Sequence, residues 1–227
     1  MAAIRGETGA SMMESRIIRT RLTYIQEVMR AQKNELLTNI IEEIRDDKKN
    51  KWTKITKNYL NKIACSWGSL QGLKKEELIK KIDNLDTMLW REELGQKSSL
   101  VIYREWKKEI GNVDWIYDNT PASEILFRAR TNTLNLRDRK RFKGEETKCL
   151  ICGEELENLQ HFLLECEGYK EERITSMKLQ QPYRENRSEV IGRFLFEIKN
   201  EKEAEEVKET IYKMWWKRGK IEKEIGN

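Results

Sequence analysis

The residue types best suited to chemistry are concentrated in one short segment. Three of the four cysteines and the only histidine fall within the 18 residues from position 149 to position 166. They are spaced as C-x2-C-x8-H-x4-C, and the four members are Cys149, Cys152, His161 and Cys166. Three thiolates and one imidazole form a common tetrahedral ligand set for structural zinc. The spacing therefore predicts a zinc site whose four protein ligands leave no open position for catalysis.

The sequence around these ligands also suits a metal site. Gly153, directly after the second cysteine, permits a tight turn that points two thiolates at one ion. Residues 158–166 can be helical, which would place His161 and Cys166 near one face if the helix ends around Gly168. The alternative is four buried residues without a ligand, because cysteine often packs as a small hydrophobic side chain. The concentration of all four at ligand spacing favours the metal.

Composition limits the class of protein. Of the 227 residues, 37% are charged, 38% are hydrophobic and two are proline, a composition that predicts a largely helical chain. No apolar run reaches the length of a transmembrane helix, and the N-terminus has no signal-peptide core. We therefore expect no membrane partner and an intracellular protein, nuclear or cytoplasmic and not secreted, with reduced thiols. Cys65, outside the cluster, is expected to be a free buried thiol.

Hydrophobic residues recur at helical spacing along most of the chain. These stripes predict five helices between residues 11 and 110, the last of them over 98–110. Thr120 and Pro121 predict another helix start, since proline is tolerated in the first turn. We expect a mainly α fold in which a helical N-terminal part precedes a small Cys3His zinc-knuckle domain and a terminal helix. The predicted parts are a helical region over 1–118, a basic helix with the zinc knuckle over 119–181, and a charged helical tail over 182–227.

A basic stretch leads into the cysteine cluster. Between residues 128 and 148, eight lysines and arginines are opposed by three acidic residues, a net charge of +5 that equals that of the whole chain. Such a concentration of positive charge attracts phosphates and releases their counterions. The alternative is a solvated basic surface without a ligand. The candidate nucleic-acid contacts in this stretch are Arg128, Arg130, Arg137, Arg139, Lys140, Arg141, Lys143 and Lys148.

The sequence around these residues resembles the C-terminal tail of non-LTR retrotransposon reverse-transcriptase polyproteins. The pattern of that family is an arginine-bearing helix, a CCHC zinc knuckle with a long gap between the second cysteine and the histidine, and an arginine soon after the last cysteine. Arg128, Arg130 and Arg173 occupy the arginine positions, and the resemblance adds Arg173 to the candidate nucleic-acid contacts. The retroviral knuckle differs, since only four residues separate its second cysteine from its histidine. The strongest resemblance covers 123–134, 148–155 and 159–173, and a weaker one, to the segment after the polymerase core of arthropod elements, covers 4–9, 16–19 and 21–24.

The resemblance implies an accessory tail that binds RNA or DNA, with structural zinc, while the chemistry lies in domains upstream. No aromatic-x-Asp-Asp polymerase motif is present, and Asp46-Asp47 lies in a charged run that fits a solvated helix end. No Gly-rich phosphate loop of the G-x-x-x-x-G-K type occurs either. A nuclease built on carboxylates alone has no constellation that singles it out. We therefore expect a non-enzymatic, zinc-dependent nucleic-acid-binding tail.

A second class of function is a zinc-stabilised protein-interaction module. Zinc knuckles also serve as rigid docking platforms, and the terminal helix with Trp215 and Trp216 could pair with a helix of a partner protein. Nucleic acid would then bind weakly or not at all. Alternatively, the tryptophan pair folds back over the zinc domain. The sequence leaves the oligomeric state and the choice between RNA and DNA open.

Overall fold

The computed structural model describes residues 1–31, 34–111, 115–144, 146–176, 179 and 186–225, without the side chains of 141 and 142. Within these ranges the chain is mainly helical and has no β-strand, which confirms the predicted fold class. None of the helices described is both long and apolar enough to cross a bilayer. The chain divides into two units, Met1–Glu93 and Leu94–Asn227, and each has its own hydrophobic core.

The N-terminal unit is built on amphipathic helices. Ile18, Leu22 and Ile25 recur at helical spacing and are almost fully buried, so one face of their helix packs into the core. Cys65 is a free, half-buried thiol whose Sγ lies 3.2 Å from the hydroxyl of Ser69. The helices are α1 (Ala2–Thr8), α2 (Met13–Ala31), α3 (Glu35–Asp46), α4 (Lys51–Lys62), α5 (Trp67–Leu70) and α6 (Lys75–Gly95).

Polar contacts fix the first helix to the last one of this unit. The guanidinium of Arg5 on α1 lies 3.1 Å from Asp86 on α6, and both side chains are buried. The Ser15 hydroxyl donates to the same carboxylate at 2.7 Å. The indole N–H of Trp90 donates to the carbonyl of Ala2 at 2.8 Å. Since buried charges need partners, these contacts hold α1 against α6.

The C-terminal unit contains the predicted metal ligands. Thr120 caps the helix that follows it by accepting from the backbone N–H of Ser123 at 3.3 Å, with Pro121 in the first turn, which confirms the predicted helix start. The α-helices are α7 (Val101–Trp106), α8 (Pro121–Arg130), α9 (Lys170–Ile174), α10 (Arg187–Phe196) and α11 (Glu201–Ile225). Between them lie 3₁₀ turns at Ser98–Leu100, Arg137–Lys143 and Glu167–Tyr169, and a π-helical turn at His161–Glu165.

The region before residue 118 differs in detail from the prediction. Helix α7 is shorter than the predicted 98–110, because it begins after a 3₁₀ turn and Lys107 is already extended. Trp106 packs against α10 so closely that a Cβ on Gly192 would lie 2.0 Å from its indole ring. Helix α7 therefore belongs to the C-terminal unit, and the two units divide at 93/94. The predicted division into three parts places its first boundary at residue 118, not at 93/94. Whether those three parts are separable domains stays a prediction.

Candidate metal centre

A tight turn brings the first two cysteines together. The N–H of Cys149 donates to the carbonyl of Glu155 at 2.7 Å, which pairs the two sides of a short hairpin. The N–H of Gly153 donates back to the carbonyl of Cys149 at 2.9 Å, and Gly153 has a φ of 73°, a conformation that favours glycine. The N–H of Ile151 points at the Cys149 Sγ, 3.4 Å away. The turn thus brings the Sγ atoms of Cys149 and Cys152 close together, and it directs the N–H of Ile151 at the sulfur of Cys149.

A π-helical turn brings the other two ligands together. The N–H of Cys166 donates to the carbonyl of His161 at 2.9 Å, an i to i+5 bond that makes these residues one turn apart. Asn158 starts the segment, since its side-chain oxygen accepts from the N–H of His161 at 2.8 Å. A helix was predicted for this segment, but in an ordinary α-helix two residues five positions apart lie on different faces. The wider π-helical turn places His161 and Cys166 on the same face.

The four predicted ligands form one cluster. Their donor atoms all lie within 4.8 Å of one another. The Sγ atoms of Cys149 and Cys166 are 3.7 Å apart, and Cys152 Sγ is 3.4 Å from His161 Nε2. With usual zinc bond lengths of about 2.3 Å to sulfur and about 2.0 Å to nitrogen, the sulfur–sulfur and sulfur–nitrogen edges of a tetrahedron are about 3.8 Å and about 3.5 Å. The cluster therefore has the dimensions of a tetrahedral metal site.

The burial of the four side chains and the pKa directions of two thiols also suit a closed cation site. Cys149, His161 and Cys166 are each at most 3% exposed, and Cys152 is half-buried. The hydrogen bond with Cys166 lowers the pKa of the Cys149 thiol, and nearby backbone N–H groups lower it further. The same hydrogen bond, together with burial, raises the pKa of Cys166. A metal cation bound between the two sulfurs would favour the thiolate form of both.

A buried ion pair fixes the loop between the second and third ligands. Glu157 is fully buried, and its two carboxylate oxygens accept from Arg218 on α11 at 2.9 and 2.8 Å. The backbone N–H of Arg137 donates to the same carboxylate at 2.9 Å. Burial alone would lower the pKa of Arg218, but the neighbouring carboxylates raise it. No sequence pattern predicts this pair, because its members are 61 positions apart and no local pattern links them.

Close packing supports the last ligand from the other side. A Cβ on Gly168 would lie 2.0 Å from the Cγ2 of Ile151 and 3.6 Å from the Sγ of Cys166. Only glycine therefore allows the chain after Cys166 to approach the 149–153 turn this closely. Arg173 donates to the carbonyl of Cys166 at 2.6 Å. Arg173, a candidate nucleic-acid contact by resemblance, thus braces the segment that carries the last candidate ligand.

Arg130, another predicted nucleic-acid contact, is directed inward. It is 4% exposed, donates to the Tyr117 hydroxyl at 2.9 Å, and has its guanidinium carbon 4.5 Å from the centre of the Phe196 ring. Such stacking on aromatic faces stabilises arginine away from water. Arg130 lies on the buried face of α8, but Tyr117 and Phe196 lie outside that helix, so the spacing within α8 does not predict these contacts. In this structure Arg130 connects α8 with its neighbours in the C-terminal unit.

The other predicted contacts lie nearer the surface. Arg139, Lys143 and Lys148 are exposed, whereas Arg137 and Lys140 are half-buried. Arg128 forms a surface ion pair with Glu124. The side chain of Arg141 lies outside the described part of the structure. The exposed residues belong to the segment that ends at the first cysteine ligand, so their backbone is tied to the cluster.

The two terminal tryptophans have different surroundings. Trp215 is half-buried against Phe162, with ring centres 6.2 Å apart and planes at 78°. Phe162 is itself fully buried. Trp216 is 54% exposed, and the ammonium of Lys220 lies 3.6 Å from its ring centre. Helix α11 therefore covers the knuckle with Trp215, while Trp216 faces solvent.

Comparison with protein-family models, with curated proteins and with solved structures finds no match. The resemblance to retrotransposon tails therefore stays a prediction.

Proposed function

We propose that the C-terminal unit is a zinc-stabilised module that binds the backbone of RNA or DNA and carries out no catalysis by itself. The observation that carries the metal proposal is the group of donor atoms from Cys149, Cys152, His161 and Cys166 at tetrahedral separations. Three sulfurs and one imidazole nitrogen favour zinc over calcium or magnesium, which prefer oxygen ligands. All four positions would be filled by protein, so the zinc would be structural.

The structural role follows from the elements that the ligands join. Cys149 and Cys152 belong to the tight turn, whereas His161 and Cys166 belong to the π-helical turn. A shared ion would hold these turns together and would offset the cost of gathering three thiols in a buried space. The basic segment before Cys149 would be held in place by the same ion.

Charge next to the cluster supports nucleic acid as the ligand. Arg139, Lys143 and Lys148 are exposed, and among the described residues none of these three has a carboxylate within ion-pair distance, although Lys148 interacts electrostatically with Glu146. Cations without such partners are available to phosphate oxygens. Contacts of this kind position a nucleic acid without reading its sequence, so we expect backbone-dominated binding. This expectation agrees with the function that the resemblance implies.

The test compares two triple variants with the same change in charge. In the test variant, exposed basic residues beside the cluster become glutamine: Arg139, Lys143 and Lys148. In the control, exposed lysines of the N-terminal unit become glutamine: Lys48, Lys49 and Lys54. Binding to single-stranded RNA and duplex DNA is measured by fluorescence anisotropy at several salt concentrations. Each lost phosphate contact lowers the slope of log affinity against log salt by about 0.7 to 0.9, so the test variant should lose about 2 to 3. Equal slopes and affinities for both variants would contradict the proposal.

A protein-interaction module remains the second candidate, and the exposure of Trp216 favours it. Exposed tryptophans are frequent anchors of protein interfaces, and Tyr212 lies one helical turn away and is also exposed. The same titrations separate the two candidates. Salt-independent or absent binding of both nucleic acids by the zinc-loaded wild type would favour the interaction module.

A further inference from the structure

One nitrogen of the only histidine is not used by the proposed metal site. Nε2 of His161 faces Cys152, and Nδ1 lies on the other side of the ring. Among the described residues, Nδ1 is buried and has no aligned hydrogen-bond partner. If Nε2 gives its lone pair to a metal ion, neutral imidazole must carry its proton on Nδ1. A buried N–H group without an acceptor is costly, so an acceptor is needed once metal binds.

Two carboxylates lie close to this nitrogen. Glu155 Oε2 is 3.2 Å from Nδ1, and Glu165 Oε2 is 3.9 Å from it. Glu165 is already engaged, since its Oε1 accepts from the amide of Gln160 at 2.8 Å and pairs with Arg187. Glu155 pairs with no other side chain in the described part of the chain, and its carboxylate is largely exposed. It is thus nearer and free to turn toward the ring.

The backbone of Glu155 is also tied to the cluster. Its carbonyl accepts from the N–H of Cys149 at 2.7 Å, which sets the position of its Cα relative to the first ligand. The carboxylate is then already within 3.2 Å of Nδ1, and only its alignment with this nitrogen has to improve. Carboxylates that accept from the second nitrogen of a ligating histidine fix its tautomer and orientation and strengthen it as a donor.

We propose that Glu155 is a positioning residue that accepts a hydrogen bond from Nδ1–H of His161 when Nε2 binds the metal. This inference rests on the proposed zinc binding. It predicts that metal binding selects one tautomer of His161 and that Glu155 contributes to metal affinity without being a ligand.

The experiment uses the full chain with three alanine variants, Glu155→Ala, Glu154→Ala and Glu165→Ala, and the conservative variant Glu155→Gln. Glu154 is the matched control, because it is exposed and adjacent. Zinc affinity is measured by competition with a chromophoric chelator. Since the chain contains one histidine, ¹⁵N-histidine labelling gives one set of ring signals, which reports the tautomer directly.

We expect Glu155→Ala to weaken zinc binding by about 10-fold, the lower end of the effect of losing such a partner. Glu154→Ala should bind as the wild type does, and Glu155→Gln, which keeps an acceptor oxygen, should recover part of the loss. In the zinc-loaded wild type the proton should reside on Nδ1, and its signal should shift in Glu155→Ala but not in Glu154→Ala.

Equal zinc affinity and an unchanged Nδ1–H signal in Glu155→Ala would overturn this inference and leave zinc binding intact. A loss seen only in Glu165→Ala would also overturn it, because the acceptor would then be Glu165. If the wild type binds no zinc, the proposed function itself fails, and with it the role of Glu155.

Discussion

The buried pair of Glu157 and Arg218 allows a sharp test of how the terminal helix supports the metal centre. In Arg218→Met the side chain keeps much of its apolar bulk but loses its guanidinium. Glu157 would remain fully buried and would lose the two hydrogen bonds at 2.9 and 2.8 Å. Among the described residues, only the backbone N–H of Arg137 would still donate to its carboxylate.

The size of the effect follows from these contacts. A hydrogen bond to a charged group contributes about 1.5 to 3 kcal/mol, and removing one partner of a buried ion pair costs about 3 to 5 kcal/mol. Because the Arg137 N–H still compensates part of the charge, we expect a loss of about 3 to 4 kcal/mol. Adding Glu157→Gln to Arg218→Met removes the buried charge as well, so the double variant should recover at least half of that loss.

The assay is urea unfolding of the full chain in excess zinc, followed by tryptophan fluorescence. Lys223→Met is the matched control, because Lys223 is exposed on the same helix and its loss should change stability by less than about 0.5 kcal/mol. If Arg218→Met unfolds at the same urea concentration as this control, the pair does not hold α11 to the knuckle. If the double variant is less stable than Arg218→Met, the explanation by uncompensated charge is wrong.

Two other predictions concern packing and pH. Gly168→Ala should destabilise the zinc-loaded chain by about 1 to 3 kcal/mol in urea unfolding, because its methyl group would overlap Ile151. Adding Ile151→Ala should relieve the overlap, and the control Gly219→Ala should be tolerated because the space around Gly219 is open. A Gly168→Ala variant as stable as the wild type would contradict this packing. The hydrogen bond from Lys208, followed by those from Thr120, holds the pKa of Asp118 well below its usual value. The stability from this pair is therefore fully present above about pH 4 and is lost only as pH falls through the depressed pKa of Asp118. Asp118→Asn should thus be less stable by about 1 kcal/mol at pH 7 and should approach the wild type only well below about pH 3. A difference that is constant over this range would contradict the assignment.

Much of the fold could be predicted from the sequence because it depends on local patterns. Apolar residues at helical spacing predicted a mainly α chain, and Thr120 with Pro121 predicted the start of α8. The cysteine cluster was predicted from spacing alone, since ligands close in sequence need only two turns to meet. The π-helical geometry at 161–165 was not predicted, because nothing in its sequence distinguishes it from an α-helix.

The rest depended on contacts between distant residues. Arg130 was predicted to be a surface cation because it lies in a basic stretch, yet it is stacked on Phe196, which comes 66 positions later in the sequence. Glu157 appeared to be one of many acidic residues until its partner on α11 was known. Sequence patterns predict that a charged residue is exposed unless they also identify a partner for it. A partner on another helix is too distant in the sequence for such a pattern to identify it.

The proposed zinc site requires the C-terminal unit to bind one metal ion through three sulfurs and one nitrogen. The most direct test is metal analysis of the purified chain with X-ray absorption at the zinc edge, repeated for Cys149→Ser, Cys166→Ser and Cys65→Ser. We predict one zinc per chain with three sulfur ligands at about 2.3 Å and one nitrogen at about 2.0 Å. Of the three variants, only Cys65→Ser should retain this coordination. Absence of bound metal from the wild type, or an unchanged zinc spectrum in Cys149→Ser and Cys166→Ser, would contradict the claim.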